Sequence, residues 1–475
     1  MALILEKLNA FVWGAPALVM ILFVGIYLTL RLKGVQFALL PRAIQSFLKK
    51  IRPEKNSDGV SSYRALCTAL AATVGTGNLA GVAGAICLGG PGAVFWMWIC
   101  GFLGMVTKYA EATLAIRYRV RGEAGYHGGP MYVIVNGLGR KWLPLAKLYC
   151  IFGAAASFGV GNATQIGAVI SGFHSILESS GIVPAAQLDM IAGLLLAAVI
   201  GTLLLGGAGR IGAAAEILVP FGAVGYLLMC FGVLIAKADA IPEAFCAIVR
   251  GALDPKAVTG GALGSAFVAL RVGCSRGVFT NEAGMGTAAI AHASAEVSHP
   301  AEQGLMGMVE VFLDTILICT LTALVILVSG VPVPYGMDGG AALTVDAFRV
   351  IYGDAAAVVL TGALLLFAVA AILGWGLYGG RCVQFLLGPK AWKPYALMQS
   401  GVVLLSSVAS AAVLWQVSEL LNGLMAIPNL LSLALLMPET VRLTREYVQK
   451  AGKKQVEHED CSTWEYRNLI RDHRS

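Results

Sequence analysis

A short polar run, Gly75-Thr76-Gly77-Asn78, lies at the centre of the apolar segment LAATVGTGNLAGVAGA, residues 70–85. Glycine weakens a helix, and inside a bilayer each unpaired backbone group costs roughly 2–7 kcal/mol unless protein, water or a ligand satisfies it. In a helix broken here, the N–H groups that open the second half suit a carboxylate. The carbonyl groups that end the first half, around Ala71 to Val74, suit a cation. The run therefore predicts a binding site in the middle of a membrane span.

A second segment, RVGCSRGVFTNEAGMGTAAIAHASAE, has the same character, because Gly284-Met285-Gly286-Thr287 follows the polar run Phe279-Thr280-Asn281-Glu282. Paired interruptions at corresponding places indicate a transporter built from two inverted five-helix repeats, with its site between them. Two alternatives stay open. The helices could be unbroken and pack through small-residue faces such as Gly77 and Gly81, or the pairing could be chance in a chain with 58 glycines.

Ionisable residues within apolar segments are the next candidates, since a charge at mid-bilayer costs at least about 2.5–3.5 kcal/mol unless it is paired or hydrated. Lys108 and Glu111 are one helical turn apart, and we expect them to form a structural ion pair near the cytoplasmic surface. Gln165, in SFGVGNATQIGAV, is a neutral polar residue deep in a span. It either binds substrate or links helices.

Glu310 and Asp314 also share a helix face. They have no basic residue nearby in the sequence, so they are candidates for binding a cation or carrying a proton. An ion pair with Arg271 or Arg276 is an equal alternative.

Membrane spans must position these residues. Of the 475 residues, 57% are hydrophobic and only 13% are charged, against about 25% charged in a typical soluble domain. Windows of about 20 apolar residues recur between short polar loops and predict about eleven spans. The spans are 10–31, 65–89, 92–116, 145–177, 187–206, 212–236, 260–292, 303–329, 355–386, 394–413 and 416–437.

The distribution of basic residues predicts the orientation, because lysine and arginine favour short cytoplasmic loops. The loops after the first and third spans are rich in them, whereas the gaps near 178–189 and near Trp415 contain none. We therefore expect the N-terminus outside and the C-terminus in the cytoplasm. On this interpretation the net charge of +7 reflects topology rather than nucleic-acid binding.

The spans group into four parts. These are an extra N-terminal helix with a basic loop (1–64), two five-helix repeats (65–236 and 237–438) and a polar cytoplasmic tail (439–475). Residues 122–140 are predicted to be an interfacial or re-entrant segment, 240–258 and 343–351 to be short outer helices, and the tail to be an amphipathic helix followed by disorder.

The sequence offers no enzyme signature. It has no P-loop, HExxH or GxSxG motif, and its six histidines and ten cysteines show no metal-ligand spacing. We therefore predict no transition-metal site, no disulfide and no organic cofactor.

At these residues the chain resembles the sodium:alanine (alanine/glycine:cation) symporters of the amino acid/polyamine/organocation superfamily. The motifs that carry the resemblance are ALAATVGTGNLAGVAGAICLGGPGAVFWMWICGFLGMVTKYAEATLA, GGPMYVI, SFGVGNATQ, RGVFTNEAGMGTAAIAHA, VEVFLDTILICTLTALVI and LGWGLYGGRC. The resemblance implies an all-α integral membrane protein with a leucine-transporter-like five-plus-five inverted repeat and one extra N-terminal helix. It also implies uptake of a small neutral amino acid, alanine or glycine, with sodium across the bacterial cytoplasmic membrane.

The resemblance further assigns roles to individual residues. Thr76, Gly77 and Asn78 would hold the substrate carboxylate, and carbonyl groups around Phe279 and Thr280 would receive its ammonium group. The implied substrate site comprises Thr76, Gly77, Asn78, Gln165, Phe279, Thr280, Asn281 and Trp375, of which Trp375 would close a pocket too small for large side chains. The implied sodium site comprises Ala71, Val74, Asn78 and Thr280, and Asp314, the buried carboxylate considered above, is a further candidate ligand for the cation.

Two positions depart from the family pattern. Family members commonly carry serine or threonine just before ILGW, where this chain has Ala370-Ala371, and often glutamate where it has Gly380. Alanine methyl groups cannot coordinate sodium, so a carbonyl group or water replaces the hydroxyls, or the coupling ion is a proton carried by Asp314 or Glu282. A proton-coupled symporter is therefore one alternative, and a passive channel or receptor is another.

Overall fold

Helices make up most of the computed structural model, which describes residues 2–13, 15–51, 60–122, 125–179, 186–254, 266–337, 340–408 and 411–457. The α-helices up to the middle of the chain are Ala2–Val12, Ala15–Arg31, Val35–Ala38, Leu40–Lys50, Ser62–Thr73, Val82–Gly89, Gly92–Tyr118, Pro130–Val133, Leu143–Phe158, Thr164–Ser179, Ala186–Leu205 and Gly207–Ala236. Those that follow are Ile241–Leu253, Ala266–Asn281, Thr287–His292, Pro300–Val311, Thr320–Ser329, Gly340–Tyr352, Ala355–Leu387, Trp392–Val408 and Ala411–Glu457. Wider π-helical turns lie at Gly77–Gly81, Ile134–Leu138, Gly159–Ala163 and Phe312–Cys319, and 3₁₀ turns at Arg140–Trp142, Ala238–Ala240 and Pro389–Ala391.

Several of these helices can cross a membrane. Among the described residues, seven helices are long and apolar enough, or up to eight if the bent pair Ser62–Thr73 and Gly77–Gly89 is one span. Their outer faces carry large exposed apolar side chains such as Ile217 and Phe221, which suit lipid rather than water. The larger span count from the sequence stays a prediction.

Both expected interruptions are present. The first broken helix consists of Ser62–Thr73 and Gly77–Gly89, whose axes differ by 53°. The second broken helix consists of Ala266–Asn281 and Thr287–His292. The alternative of two unbroken helices is therefore wrong.

The second break depends on left-handed backbone conformations. Glu282, Gly284 and Gly286 have φ angles of 54°, 92° and 76°. Glycine adopts such angles at no steric cost, whereas a glutamate held there stores strain, of order 1–3 kcal/mol, that the surroundings must offset. The two glycines explain why the helix ends at this point.

Outside the spans, the segment at 122–140 contains a feature that the sequence did not predict. Val120–Gly122 and Gly125–His127 form a short antiparallel hairpin, and helix Pro130–Val133 follows. The expected short helices at 240–258 and 343–351 are present as Ile241–Leu253 and Gly340–Tyr352.

The first part of the predicted tail is helical and continuous with the last long helix, up to Glu457. The expected disorder beyond it lies outside the described residues.

Small residues bring the helices close together around the two breaks. Helix Gly92–Tyr118 packs against both Pro300–Val311 and Ala266–Asn281. A Cβ added to Gly273 would lie only 2.3 Å from the Ala93 carbonyl oxygen, so glycine is required at that crossing. In lipid, where apolar burial drives little association between helices, such close backbone packing helps to hold the bundle together.

Candidate binding site at two broken helices

The first break is stabilised partly by a side chain of the same broken helix, that of Asn78. Asn78 Oδ1 accepts a hydrogen bond from the Gly75 N–H at 2.9 Å, which is the reverse half of a helix capping box. The N–H groups of Thr76 and Gly77 lie in the first turn of the second half, where an α-helix supplies no acceptor. Thr76, Gly77 and Asn78 are all buried. Two buried backbone donors at a helix start suit a carboxylate ligand.

The end of the first half supplies the opposite polarity. The Val74 N–H still donates to the Leu70 carbonyl at 2.8 Å, but Val74 itself has an extended conformation, so the helix stops there. Ala71 and Val74 are buried, and carbonyl groups of a last helical turn lack intrahelical donors. These oxygens are available to a cation.

Asp314 reaches the first break from another helix. Its Oδ1 accepts a hydrogen bond from Asn78 Nδ2 at 2.7 Å, and its Oδ2 accepts one from Thr315 Oγ1 at 2.8 Å. Asp314 is fully buried and lies in the π-helical turn Phe312–Cys319, a type of distortion that is frequent at functional sites. Asn78 and Asp314, expected to share a cation site, are therefore in direct contact.

Gln165 also contacts the first break. Thr76 Oγ1 donates to Gln165 Oε1 at 3.3 Å, and Gln165 Nε2 donates to the Val160 carbonyl at 3.2 Å. The π-helical turn Gly159–Ala163 precedes Gln165 along the chain. Gln165 thus links two helices and lies beside an expected substrate residue.

Trp375 is buried close to the Gln165 helix. A Cβ on Gly161 would lie 2.1 Å from the Trp375 Cβ, so the two helices touch at this glycine. Among the described residues, the buried indole Nε1 of Trp375 has no hydrogen-bond partner. A buried donor without an acceptor is rare and marks a place where a ligand or water is expected.

The two broken helices meet at Gly77. A Cβ added there would lie 3.2 Å from Thr280 Cγ2 and 3.7 Å from Phe279 Cδ1. Thr280 Oγ1 donates to a carbonyl of its own helix at 2.8 Å, and Asn281 Nδ2 donates to Thr315 Oγ1 at 3.1 Å. The structure therefore brings residues of both breaks together: Asn78 of the first contacts Asp314, and Asn281 of the second contacts the adjacent Thr315.

The second break is closed by a carboxylate from helix Gly92–Tyr118. Glu111 Oε1 accepts hydrogen bonds from the Gly284 N–H at 2.9 Å, from the Gly286 N–H at 3.1 Å and from Asn429 Nδ2 at 2.7 Å. Asn429 also donates to the Gly284 carbonyl at 2.8 Å. The protein therefore satisfies the donors of this break from within.

Glu282 lies in the same break and is buried. Its Oε2 accepts a hydrogen bond from Thr287 Oγ1 at 2.5 Å, which ties the strained residue to the first position of the short helix Thr287–His292.

The predicted ion pair between Lys108 and Glu111 is wrong. Lys108 Nζ lies 3.3 Å from Glu310 Oε1, and both side chains are fully buried. His292 Nε2 lies 2.8 Å from Glu310 Oε2, and Gln303 Nε2 lies 2.7 Å from His292 Nδ1. Helical spacing does put Lys108 and Glu111 on one face, but the backbone of the second break takes Glu111, and Glu310 of the neighbouring helix takes Lys108. The partners of Glu310 are therefore Lys108 and His292 rather than Arg271 or Arg276.

The two departures from the family pattern have different surroundings. Ala371 lies beside the first break, since a Cβ on Gly75 would come 3.8 Å from the Ala371 Cβ. A methyl group is thus presented to the break there. A Cβ on Gly380 would lie 2.4 Å from the Trp392 ring, so the indole occupies the space of the absent side chain.

The sequence analysis missed Asn429 and Thr315. Each is a polar residue within a largely apolar helix, and such residues more often bond to their own backbone than to a distant partner. Asn429 follows Pro428 inside the last long helix, which is the one local signal that this amide could have a special role.

Comparison with known proteins agrees with this geometry. The profile of the sodium:alanine symporter family matches residues 1–461. The sodium/alanine symporter AgcS of Methanococcus maripaludis is 41% identical over 449 residues, covering 94% of this chain and 96% of that protein. The probable sodium/glutamine symporter GlnT of Bacillus subtilis is 36% identical over 456 residues, covering 95% and 92%.

Among solved structures, MhsT in complex with L-phenylalanine matches with a TM-score of 0.58 at 14% identity, covering 80% of this chain and 90% of its own. This likeness shows the fold alone, and it confirms the expected leucine-transporter-like architecture. The relatives are transporters rather than enzymes. This multi-pass membrane protein belongs to the sodium:alanine symporter family.

Proposed function

We propose that the protein couples the uptake of a small neutral amino acid, alanine or glycine, to the entry of sodium. The observation that carries the proposal is the 2.7 Å contact between Asn78 and Asp314 at the first break, next to the first-turn N–H groups of Thr76 and Gly77. A buried carboxylate for a cation thus adjoins backbone donors for a substrate carboxylate. The names of the relatives AgcS and GlnT, sodium/alanine and sodium/glutamine symporters, support the same coupling.

The amino acid would bind with its carboxylate at the N–H groups of Thr76 and Gly77. Its ammonium group would face the carbonyl groups that end Ala266–Asn281, near Phe279 and Thr280, because the C-terminal end of a helix attracts positive charge. A Cβ on Gly77 would lie only about 3.2 Å from Thr280 Cγ2, so the two broken helices pack closely here, which favours a small substrate. Trp375 would close the far side.

Sodium would bind at the end of the first half-helix. Carbonyl and carboxylate oxygens suit hard cations, and half-helix ends are the usual sodium sites of this transporter architecture. The oxygens concerned belong to Ala71, Val74, Asn78, Thr280 and Asp314. Thr280 Oγ1 uses its proton within its own helix and keeps its lone pairs for a cation.

A proton-coupled mechanism is the second candidate, favoured by one observation. Ala371 presents a methyl group beside the first break, while Asp314 and Glu282 are fully buried within or next to the two breaks. A buried carboxylate needs neutralisation by a cation or a proton, because an isolated buried charge is costly. A proton on either carboxyl group would meet that need.

Transport would follow alternating access, in which one repeat rocks against the other around the site. We propose a bacterial cytoplasmic membrane, with the N-terminus outside, as the positive-inside rule indicates. One cation that enters through 100 mV supplies about 2.3 kcal/mol, which supports about fifty-fold accumulation of a neutral substrate. A single coupling ion is enough.

The test is uptake of labelled alanine, glycine and glutamine by proteoliposomes that contain the full chain. We expect saturable uptake of alanine or glycine under a sodium gradient and none under a proton gradient alone. Uptake driven by protons alone would replace sodium with the second candidate. Flux that is indifferent to both gradients would indicate a channel, and a preference for glutamine would overturn the small-substrate assignment.

Asp314→Asn gives the residue-level test. We expect the sodium concentration for half-maximal uptake to rise by at least about tenfold, since a charged ligand contributes roughly 1.5–3 kcal/mol. Asp346→Asn is the matched control, because Asp346 is an exposed acidic side chain whose ion-pair partner within the described residues is its neighbour Arg349. Equal sodium dependence in both variants would remove Asp314 from the site.

A further inference from the structure

A basic cavity lies at the helix ends beyond Trp375. It has a volume of about 510 Å³ and lies where Ala186–Leu205 turns into Gly207–Ala236 and where Ala355–Leu387 turns into Trp392–Val408. Its lining includes Gly207, Gly209, Arg381, Lys390, Trp392 and Lys393. None of these residues belongs to the transport site proposed above.

The cavity carries an unbalanced positive charge. Arg381, Lys390 and Lys393 line it, and among the described lining residues none is acidic. Within the described part of the chain these three cations also form no salt bridge. Three uncompensated cations around one cavity favour an anionic ligand. The cations repel one another, and a bound anion offsets this repulsion by attracting all three.

The contacts of Arg381 leave its charge intact. Arg381 Nη1 donates to Gln384 Oε1 at 2.9 Å and lies 2.8 Å from His127 Nε2. Burial and the nearby guanidinium lower the pKa of His127 to about 4, so this imidazole is neutral at pH 7. Arg381 is thus oriented by two neutral groups and keeps further N–H donors for a ligand.

The surroundings of the cavity are those of a membrane boundary. Leu205 and Leu387, which immediately precede the turns on either side, are 43% and 76% exposed. The Trp392 ring donates its Nε1–H to the Leu204 carbonyl at 3.1 Å, an arrangement typical of aromatic residues at the interface between lipid and water. An anion that reaches the cavity along these apolar side chains would carry apolar chains of its own.

We propose that this cavity binds the phosphate group of an anionic phospholipid of the surrounding membrane. Arginine matches phosphate oxygens through paired N–H groups, and the two lysines add point charges. Basic pockets between helices at the membrane surface are suited to such headgroups. The inference does not depend on which amino acid or cation is transported.

The test is binding of phosphatidylglycerol to the detergent-solubilised full chain, counted by native mass spectrometry. Phosphatidylcholine serves as the neutral lipid, and glycerol phosphate as a headgroup without apolar chains. We expect retention of phosphatidylglycerol over both. In Lys390→Gln/Lys393→Gln the affinity is expected to fall about 25-fold, at roughly fivefold for each lysine near a membrane surface.

Two further variants make the result decisive. Lys141→Gln/Lys147→Gln removes two other exposed lysines, one in the 3₁₀ turn Arg140–Trp142 and one in the first turns of helix Leu143–Phe158, and is expected to leave binding unchanged. Gly209→Glu places a carboxylate in the cavity, where a Cβ meets no atom within 4 Å and where glutamate suits the first helical turn, so the fold is retained and binding is lost. Equal losses in the two lysine pairs, normal binding by Gly209→Glu, or equal binding of glycerol phosphate would each overturn the proposal.

Discussion

The two broken helices resemble each other in sequence but satisfy their free backbone groups in different ways. At the first break, the Gly75 N–H is bonded to Asn78 of the same helix, and Asp314 accepts a hydrogen bond from the Asn78 side-chain amide. At the second break, Glu111 of another helix accepts from both Gly284 and Gly286. The first break therefore keeps donors for a ligand, whereas the second has a carboxylate of the protein in the place where a ligand would bind.

This difference suggests a division of labour. The second break is fastened to two other helices through Glu111 and Asn429, so it would act as a fixed support. The first break is bonded mainly to its own residues and to Asp314, so it is the one that a substrate and a cation can alter. Substitutions at the second break should therefore reduce stability, and those at the first should reduce transport.

The largest effect is expected for Glu111→Ala. It leaves the buried N–H groups of Gly284 and Gly286 without an acceptor, at about 1–3 kcal/mol each, and it removes one of the two hydrogen bonds that Asn429 donates. We expect a clearly lower thermal unfolding temperature in detergent, followed by intrinsic fluorescence. Glu446→Ala, which removes an exposed glutamate paired with Arg442, is the control and should unfold like the parent. An unchanged transition for Glu111→Ala would mean that the second break does not need its carboxylate.

Asn78→Leu is expected to have the next largest effect, this time on transport. It removes the hydrogen bonds to Gly75 and Asp314 and the weaker contact of Asn78 Nδ2 with Cys319 Sγ. The two stronger bonds, at about 1.4 kcal/mol each, correspond to roughly a hundred-fold loss of uptake. Asn422→Leu is the matched control, because Asn422 is buried and makes no side-chain hydrogen bond within the described residues. Comparable uptake by the two leucine variants would contradict the role of the first break.

Thr280→Val tests the junction of the two breaks with a smaller change. Valine keeps the methyl group near Gly77 but removes the hydroxyl, worth about 1 kcal/mol or roughly fivefold in apparent sodium affinity. We expect the sodium dependence of uptake to shift while the unfolding temperature stays the same. A loss of stability with normal sodium dependence would place Thr280 in the support rather than in the cation site.

The smallest expected effect is on the pH dependence of stability, through His127 near the second break. The hairpin residue His127 precedes Gly129 and Pro130, which pack against Ile290 and Gly286. Burial and the Arg381 charge lower its pKa from the usual 6.5 to about 4, so the folded state disfavours the protonated imidazole. The stability from this group is complete above about pH 6.5 and is lost as the pH falls through about 4.

The measurement compares unfolding temperatures of the parent and of His127→Gln between pH 7 and pH 4. The variant should lose less stability over this range, by a small margin because the ring is only half-buried. His174→Gln, which changes a histidine that contacts Asp189 and not Arg381, is the control variant in the same unfolding experiment. Identical pH profiles for the parent and His127→Gln would show that protonation of His127 does not change the stability of the folded protein.

Much of the architecture follows from the sequence because its causes are local. Apolar windows with short polar loops specify membrane helices, and glycine next to polar residues specifies where a helix cannot continue. The breaks at Gly75-Thr76-Gly77 and at Glu282 to Gly286 were predicted in this way, and the family motifs predicted the fold. The short hairpin at Val120–His127 was missed, since its glycines indicate a turn but not a pair of strands.

The partners of the buried polar residues were decided by the tertiary structure alone. Asn78 and Asp314 are 236 residues apart in the chain, and Glu111 and Asn429 are 318 apart. Helical spacing tells which face a side chain occupies, but not which helix lies against that face, and this is why Lys108 was paired with Glu111 instead of Glu310. The sequence by itself determined where two helices are weak enough to break. Packing determined that Glu111 fills one break and that the other keeps its donors, because a neighbouring helix supplies a buried acceptor to the second break and supplies none to the N–H groups of Thr76 and Gly77 within the described residues.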